Sequence, residues 1–129
     1  MNGITDKIMT GTVGELLVQI RLLQFGVQAA PPIKDSGNDL IAVCGHEFRA
    51  VSVRTTTTGR YNKPDSCRKY HVLAVVSLVG QDRDVHLDQS RIFLIPQSEV
   101  ASASTDCASL GAFEFSPQQV EALFGSVSS

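Results

Sequence analysis

The hydrophobic pattern predicts an α/β or α+β fold with a mixed β-sheet flanked by helices, and three observations carry that expectation. Apolar residues recur at helical spacing over 4–25. Two strand-like runs flank a two-residue Gly45-His46 turn, and two further runs, 71–78 and 91–96, are apolar without alternation, as strands covered on both faces are. The 129 residues are 43% apolar, 19% charged and 6% aromatic. That suits one compact domain over 1–129, large enough to hold its core without a disulfide or a structural metal.

Each element has a local cause. Ile4, Ile8, Val13, Leu16, Leu17, Ile20 and Leu23 recur at helical spacing, and Gly26 after Phe25 ends the helix. Gly11 and Gly14 lie inside it, each costing about 1 kcal/mol relative to Ala unless a neighbour approaches closely. The segment AAPPIKDSGN that follows is rich in turn formers, and its prolines prevent the helix from continuing, so a loop is expected there. The runs opening at Asp39 and Glu47 form an antiparallel hairpin. In the second strand Arg49, Val51, Val53 and Thr55 share one face, and Phe48, Ala50 and Ser52 share the other. Residues 55–69 (TTTTGRYNKPDSCRK) contain few core residues and read as a long loop. A short helix begins near 97–101, and Ser116-Pro117 starts a last helix over about 117–124, with the serine as N-cap and the proline at the first helical position.

Charge and cysteine usage narrow the function. Eleven Lys+Arg against thirteen Asp+Glu give a net charge of −2, which excludes a globally basic nucleic-acid binder and confines any such surface to a local patch. Cys44, Cys67 and Cys107 are an odd number with no C-x-x-C pair, as reduced cytoplasmic thiols would be. No apolar run approaches the ~20 residues of a membrane span, and the first fifteen residues lack the apolar centre of a signal peptide. His46 and His86 are not spaced with the cysteines as zinc ligands. Neither glycine-rich phosphate-loop signature occurs.

Gly14-Glu15 on the helix, Asp39-Leu-Ile opening a strand, and Val51-Ser-Val-Arg-Thr in the next strand together resemble the PD-(D/E)XK nuclease superfamily. This is the restriction-endonuclease-like fold, which also includes Holliday-junction resolvases. Tyr70-His-Val-Leu-Ala-Val-Val and Phe93-Leu-Ile-Pro96-Gln-Ser-Glu-Val look like the later strands of small bacterial members, so the resemblance spans about 4–101. It implies a catalytic site of Glu15, Asp39, Ser52 and Arg54, with Glu15 and Asp39 holding Mg²⁺ and the Val53 carbonyl as a further ligand. Phosphodiester hydrolysis needs charge neutralisation and a poised water, and Mg²⁺ on one or two carboxylates supplies both. The resemblance also implies DNA as ligand and a homodimeric assembly.

The third motif departs from the family. Ser52 stands where the family has an acid or Gln, and Arg54 where it has Lys. Serine is short and uncharged, and arginine keeps its proton at neutral pH, so it does not poise water as a lysine does. The expectation is therefore a degenerate or inactive endonuclease homologue that binds DNA, with Mg²⁺-dependent cleavage as the lesser option. The alternative is a non-catalytic dimeric structural or interaction protein on the same fold. Arg54 also has a purely structural reading, as the ion-pair partner of Glu15 and Asp39. Glu47, on the opposite strand face and about 16–17 Å from Ser52, is a poor substitute, and Asp35 is better explained as a turn cap. Arg54, Arg60, Lys63, Arg68 and Lys69, opposed only by Asp65 and interleaved with Tyr61 and Tyr70 as stacking groups, form the expected nucleic-acid-binding stretch. His71 at a strand entrance reads as a hydrogen-bonded histidine more readily than as a general base.

Overall fold

The apolar stripe of the N-terminal segment folds as helix α1, Asp6–Gln24, in a computed structural model that describes residues 6–32, 39–65, 69–81 and 84–125. Gly26 takes φ 83°, which lets the Gly26 and Val27 amides donate back to the Leu23 and Leu22 carbonyls, each at 3.0 Å. This closure satisfies the last carbonyls of the helix and needs a residue that tolerates positive φ.

The segment after Gly26 corrects one expectation. Gln28–Ala30 forms strand β1, antiparallel to β2, Leu40–Cys44, with Gln28 opposite Val43. Three residues are too few to show alternation in sequence, and the prolines that follow mask them; the open edge of β2 supplies the partner. Residues 33–38, including Asp35, lie outside the described residues.

Strand β2 turns through Gly45, at φ 63°, into β3, Glu47–Thr56, in the anticipated hairpin with Leu40 opposite Val51 and Cys44 opposite Glu47. Strand β4, Val72–Ser77, lies parallel to β3 from Val51↔Val72 to Thr56↔Ser77. A two-stranded ribbon, β5 (Gly80–Gln81) and β6 (Asp84–Val85), precedes β7, Arg91–Pro96. β7 pairs antiparallel with β4 and completes a mixed sheet in the order β1-β2-β3-β4-β7. The four-residue helix α2 (Gln97–Val100) follows, and α3 (Pro117–Phe124) starts as read, with the Gln119 amide donating to Ser116 Oγ at 3.1 Å.

The two faces of the sheet are covered differently. On one, Leu17, Val18 and Leu22 of α1 and Phe124 of α3 pack on Val51, Val53, Ala74 and Val76. On the other no long helix is available, and Leu73, Val75, Phe93 and Ile95 are closed by Tyr61, Tyr70, Cys107 and Leu110. This changes the reading of 55–69. Tyr61 and Tyr70 are only 6% and 8% exposed, and the Tyr61 hydroxyl donates to the Ser104 carbonyl at 2.7 Å. They are lids on the core, not free stacking platforms, because a strand buried on both faces needs large apolar groups from somewhere on its second side. Cys44 and Cys107 are free, buried thiols. No helix among the described residues is long and apolar enough to cross a membrane.

Gly14 sets how closely α1 approaches β3. A Cβ there would overlap Thr55 Oγ1 and lie 2.9 Å from the Thr55 Cβ and Cγ2, whereas a Cβ at Gly11 would meet nothing within 4 Å. Chemical denaturation of two variants should separate the two glycines. Gly11→Ala should gain about 0.5–1 kcal/mol from helix propensity. Gly14→Ala should lose about 1–3 kcal/mol through overpacking, most of it recovered by adding Thr55→Ala.

Candidate functional site

The contact between Gly14 and Thr55 brings the next helical residue, Glu15, to the C-terminal end of β3. Asp39, immediately before β2, is fixed to the same strand by two bonds. Its amide donates to the Val51 carbonyl at 3.2 Å, and its Oδ2 accepts the Val53 amide at 2.7 Å. One carboxylate oxygen of Asp39 is thus committed to β3 and the other is left for a ligand. Glu15, Asp39, Val53 and Arg54 line one groove of about 740 Å³. It opens at the carboxyl end of a strand, where ligands of open α/β sheets commonly bind.

Two carboxyl groups that interact electrostatically border this groove. Burial pushes the Glu15 carboxyl above its ordinary pKa, and the neighbouring Asp39 charge adds to the rise. Arg54 does not neutralise them. No ion pair between described residues joins it to either acid; those present link Arg49 with Glu47, Arg91 with Glu114, and His86 with Asp84 when the imidazole is protonated. Arg54 Nε instead donates to the Asn62 carbonyl at 3.1 Å. The ion-pair reading of Arg54 is therefore corrected. Strand alternation turns residue 54 to the face opposite Val53, where the chain beyond Gly59 captures its Nε. Its two terminal amino groups make no hydrogen bond within the described residues and are available to an anion.

No group of three or more His, Cys, Asp and Glu converges among the described residues, so a cation here would rest on Glu15 and Asp39. That donor set fits Mg²⁺, which commonly takes one or two carboxylates and fills its shell with water and substrate oxygens. The unneutralised proximity of the two acids fits it as well.

The remaining sequence candidates scatter. Ser52 is fully buried, its Oγ without a partner, and it does not line the groove. Arg60 is exposed and does line it. Lys63 donates to the Ala101 carbonyl at 3.0 Å; neither it nor the exposed Lys69 borders the groove. Arg68 lies outside the described residues. His71 Nδ1 accepts the Ala50 amide at 2.9 Å, a structural bond. Glu47 pairs with Arg49 at the far hairpin end. Sequence reading missed the threonines: Thr10 and 55–58 border the groove, and Thr56 Oγ1 accepts the Thr58 amide at 3.1 Å to shape its rim. The run of four threonines was the available signal, since β-branching extends a strand while its hydroxyls suit a polar wall.

No family model matches the sequence, and no curated protein is significantly similar to it. Among solved structures, the chain is similar to a bacterial homing endonuclease, I-Ssp6803I, with a TM-score of 0.55 and 16% identity over 78% of this chain and 72% of that one. The fold is endonuclease-like. At 16% identity the likeness is one of fold, and the groove residues stand on their own geometry.

Two stability measurements probe these side chains. Ser52→Ala should be neutral or stabilising by up to about 1 kcal/mol in chemical denaturation, because it removes a buried hydroxyl that has no partner. For Glu15 the folded pKa is raised, so above the ordinary carboxyl range the folded chain holds this proton more tightly than the unfolded chain does. Stability then falls as pH rises from that range through the raised value. Glu15→Gln should accordingly melt higher than the parent at about pH 7.5, with the advantage vanishing near about pH 4, as scanning calorimetry at the two pH values would show.

Proposed function

We propose that this chain is a single PD-(D/E)XK nuclease-like domain that binds DNA in the groove at the end of β3 and is degenerate as a catalyst. The observation that carries the reading is the meeting of Glu15, Asp39 and Arg54 in one groove although they are far apart in sequence. The fold shared with a protein described as a homing endonuclease supports it.

The residues divide the work by charge. The Arg54 amino groups and Arg60 suit phosphate oxygens, since a guanidinium presents several donors in a plane and stays charged. Threonine hydroxyls on the rim suit backbone contacts that fix register without reading sequence. Glu15 and Asp39 would hold Mg²⁺, which when bound would supply Lewis-acid charge at the phosphate. With Ser52 buried and Arg54 unable to release a proton at neutral pH, the described residues place no lysine at the site and no third acid to orient an attacking water. Binding therefore survives better than cleavage.

One observation favours the alternative of a non-catalytic dimeric interaction protein. Leu16, Ile20 and Leu23 of α1 are 50%, 52% and 62% exposed, at the i, i+4, i+7 spacing of an unburied helical face. Gel shifts at graded salt separate the two readings. Retention of DNA that weakens steeply with salt, with Arg54→Ala and Arg60→Ala each lowering affinity and reducing the salt slope by about 1, supports the DNA reading. A chain that retains no DNA at low salt yet sediments as a dimer supports the other. Incubated with supercoiled or branched DNA and Mg²⁺ or Mn²⁺, the protein should nick slowly at most, and Glu15→Ala should abolish that nicking; cleavage that persists in the variant would remove Glu15 from the site.

A further inference from the structure

The polar groove does not end at its threonine rim. Thr10 and Thr57 also border a second hollow of about 230 Å³, whose other walls are Met9, Val13, Leu78, Val85 and Leu87 beside Gly80. Among the described residues no charged side chain lines this second hollow. The two compartments therefore adjoin at these threonines, one carrying guanidiniums, carboxylates and hydroxyls and the other, among the described residues, almost wholly aliphatic.

Hydrogen bonds fix the chain on either side of the wall residues Leu78, Gly80, Val85 and Leu87. The Val79 amide donates to Ser90 Oγ at 3.0 Å, Ser90 Oγ donates to the His86 carbonyl at 2.9 Å, and the His86 amide donates to the Val79 carbonyl at 2.8 Å. Gly80, at φ 106°, lets the β5–β6 ribbon close, because a Cβ there would overlap the Asp84 carbonyl. Leu87 nonetheless stays 48% exposed on this wall. A preformed apolar hollow left open beside charged groups is a common form of ligand site.

We propose that this hollow receives the base of an unpaired nucleotide whose phosphate backbone lies in the adjoining groove. The inference rests on the DNA-binding reading above and adds a preference to it. An occupant spanning both compartments must be anionic on one side of Thr10 and Thr57 and flat or apolar on the other. A nucleotide has that division: its base has apolar faces for aliphatic walls and polar edges for threonine hydroxyls. The volume, below the roughly 300–1,000 Å³ of pockets for larger ligands, suits one ring system better than an extended chain. A base still paired and stacked in a duplex offers no free face, so the pocket selects unpaired ones. An apolar side chain from a protein partner would fill the hollow but leave the guanidiniums of the groove unanswered.

Fluorescence anisotropy of the full chain with two labelled DNAs tests this: a fully paired duplex, and the same duplex carrying one unpaired 2-aminopurine. The expected result is binding on the order of tenfold tighter to the second, the factor that burying a modest apolar surface supplies, with the 2-aminopurine emission altered on binding. Met9→Gln and Leu87→Gln conserve size, and Leu87 is already half exposed, so both chains should fold. Each should erase the preference and leave affinity for the paired duplex and its salt slope unchanged. Equal affinity for the two DNAs, or a preference that persists in both variants, overturns the base pocket while the groove reading stands, and would point to a protein side chain as occupant. Absence of salt-dependent binding to either DNA overturns both.

Discussion

The close approach of α1 to β3 at Gly14 is the constraint on which the rest of the candidate site depends. A helix packed on a sheet normally stands off by the length of its side chains. Here one missing Cβ lets the helix settle against Thr55, and the next residue is carried to the strand end where Asp39 is already tied to β3 through Val51 and Val53. Without that approach, Glu15 would be one more partly exposed helical acid. With it, two carboxylates that are distant in the chain share a groove with Arg54.

The site is electrostatically unfinished. Glu15 is held above its ordinary pKa by burial and by Asp39, and the guanidinium that could have answered the acids is turned instead to a backbone carbonyl. Buried polar groups elsewhere in this protein are generally met: Tyr61 reaches Ser104 and the Ser116 hydroxyl caps α3. The orphaned hydroxyls of Ser52 and Thr55 are exceptions, and both belong to the strand that builds the groove. Local frustration at a cleft, within a fold otherwise consistent from pattern to packing, is the arrangement expected where a site rather than stability shaped the residues.

Much of the framework was legible because it follows short-range rules. Helical spacing and Gly26 located α1, the Gly45 turn located the β2–β3 hairpin, and Ser116-Pro117 located the start of α3. Strand β1 was not, since three residues carry no period and acquire strand geometry only from the edge of β2. The tyrosines were misread for a related reason. Their surroundings in sequence are polar and basic, but their partners are Leu73, Phe93 and Leu110 from later in the chain.

For the candidate residues the same division holds. The sequence by itself determined which groups exist, their order, and the replacement of an acid and a lysine by Ser52 and Arg54, because those are matters of chemistry at fixed positions. Only the tertiary structure decided that Glu15, Asp39 and Arg54 border one groove, that Ser52 is buried and does not border it, and that a threonine rim adjoins an aliphatic hollow. Those outcomes turn on how closely a helix and a sheet approach and on which face of β3 each side chain leaves, and long-range packing sets both.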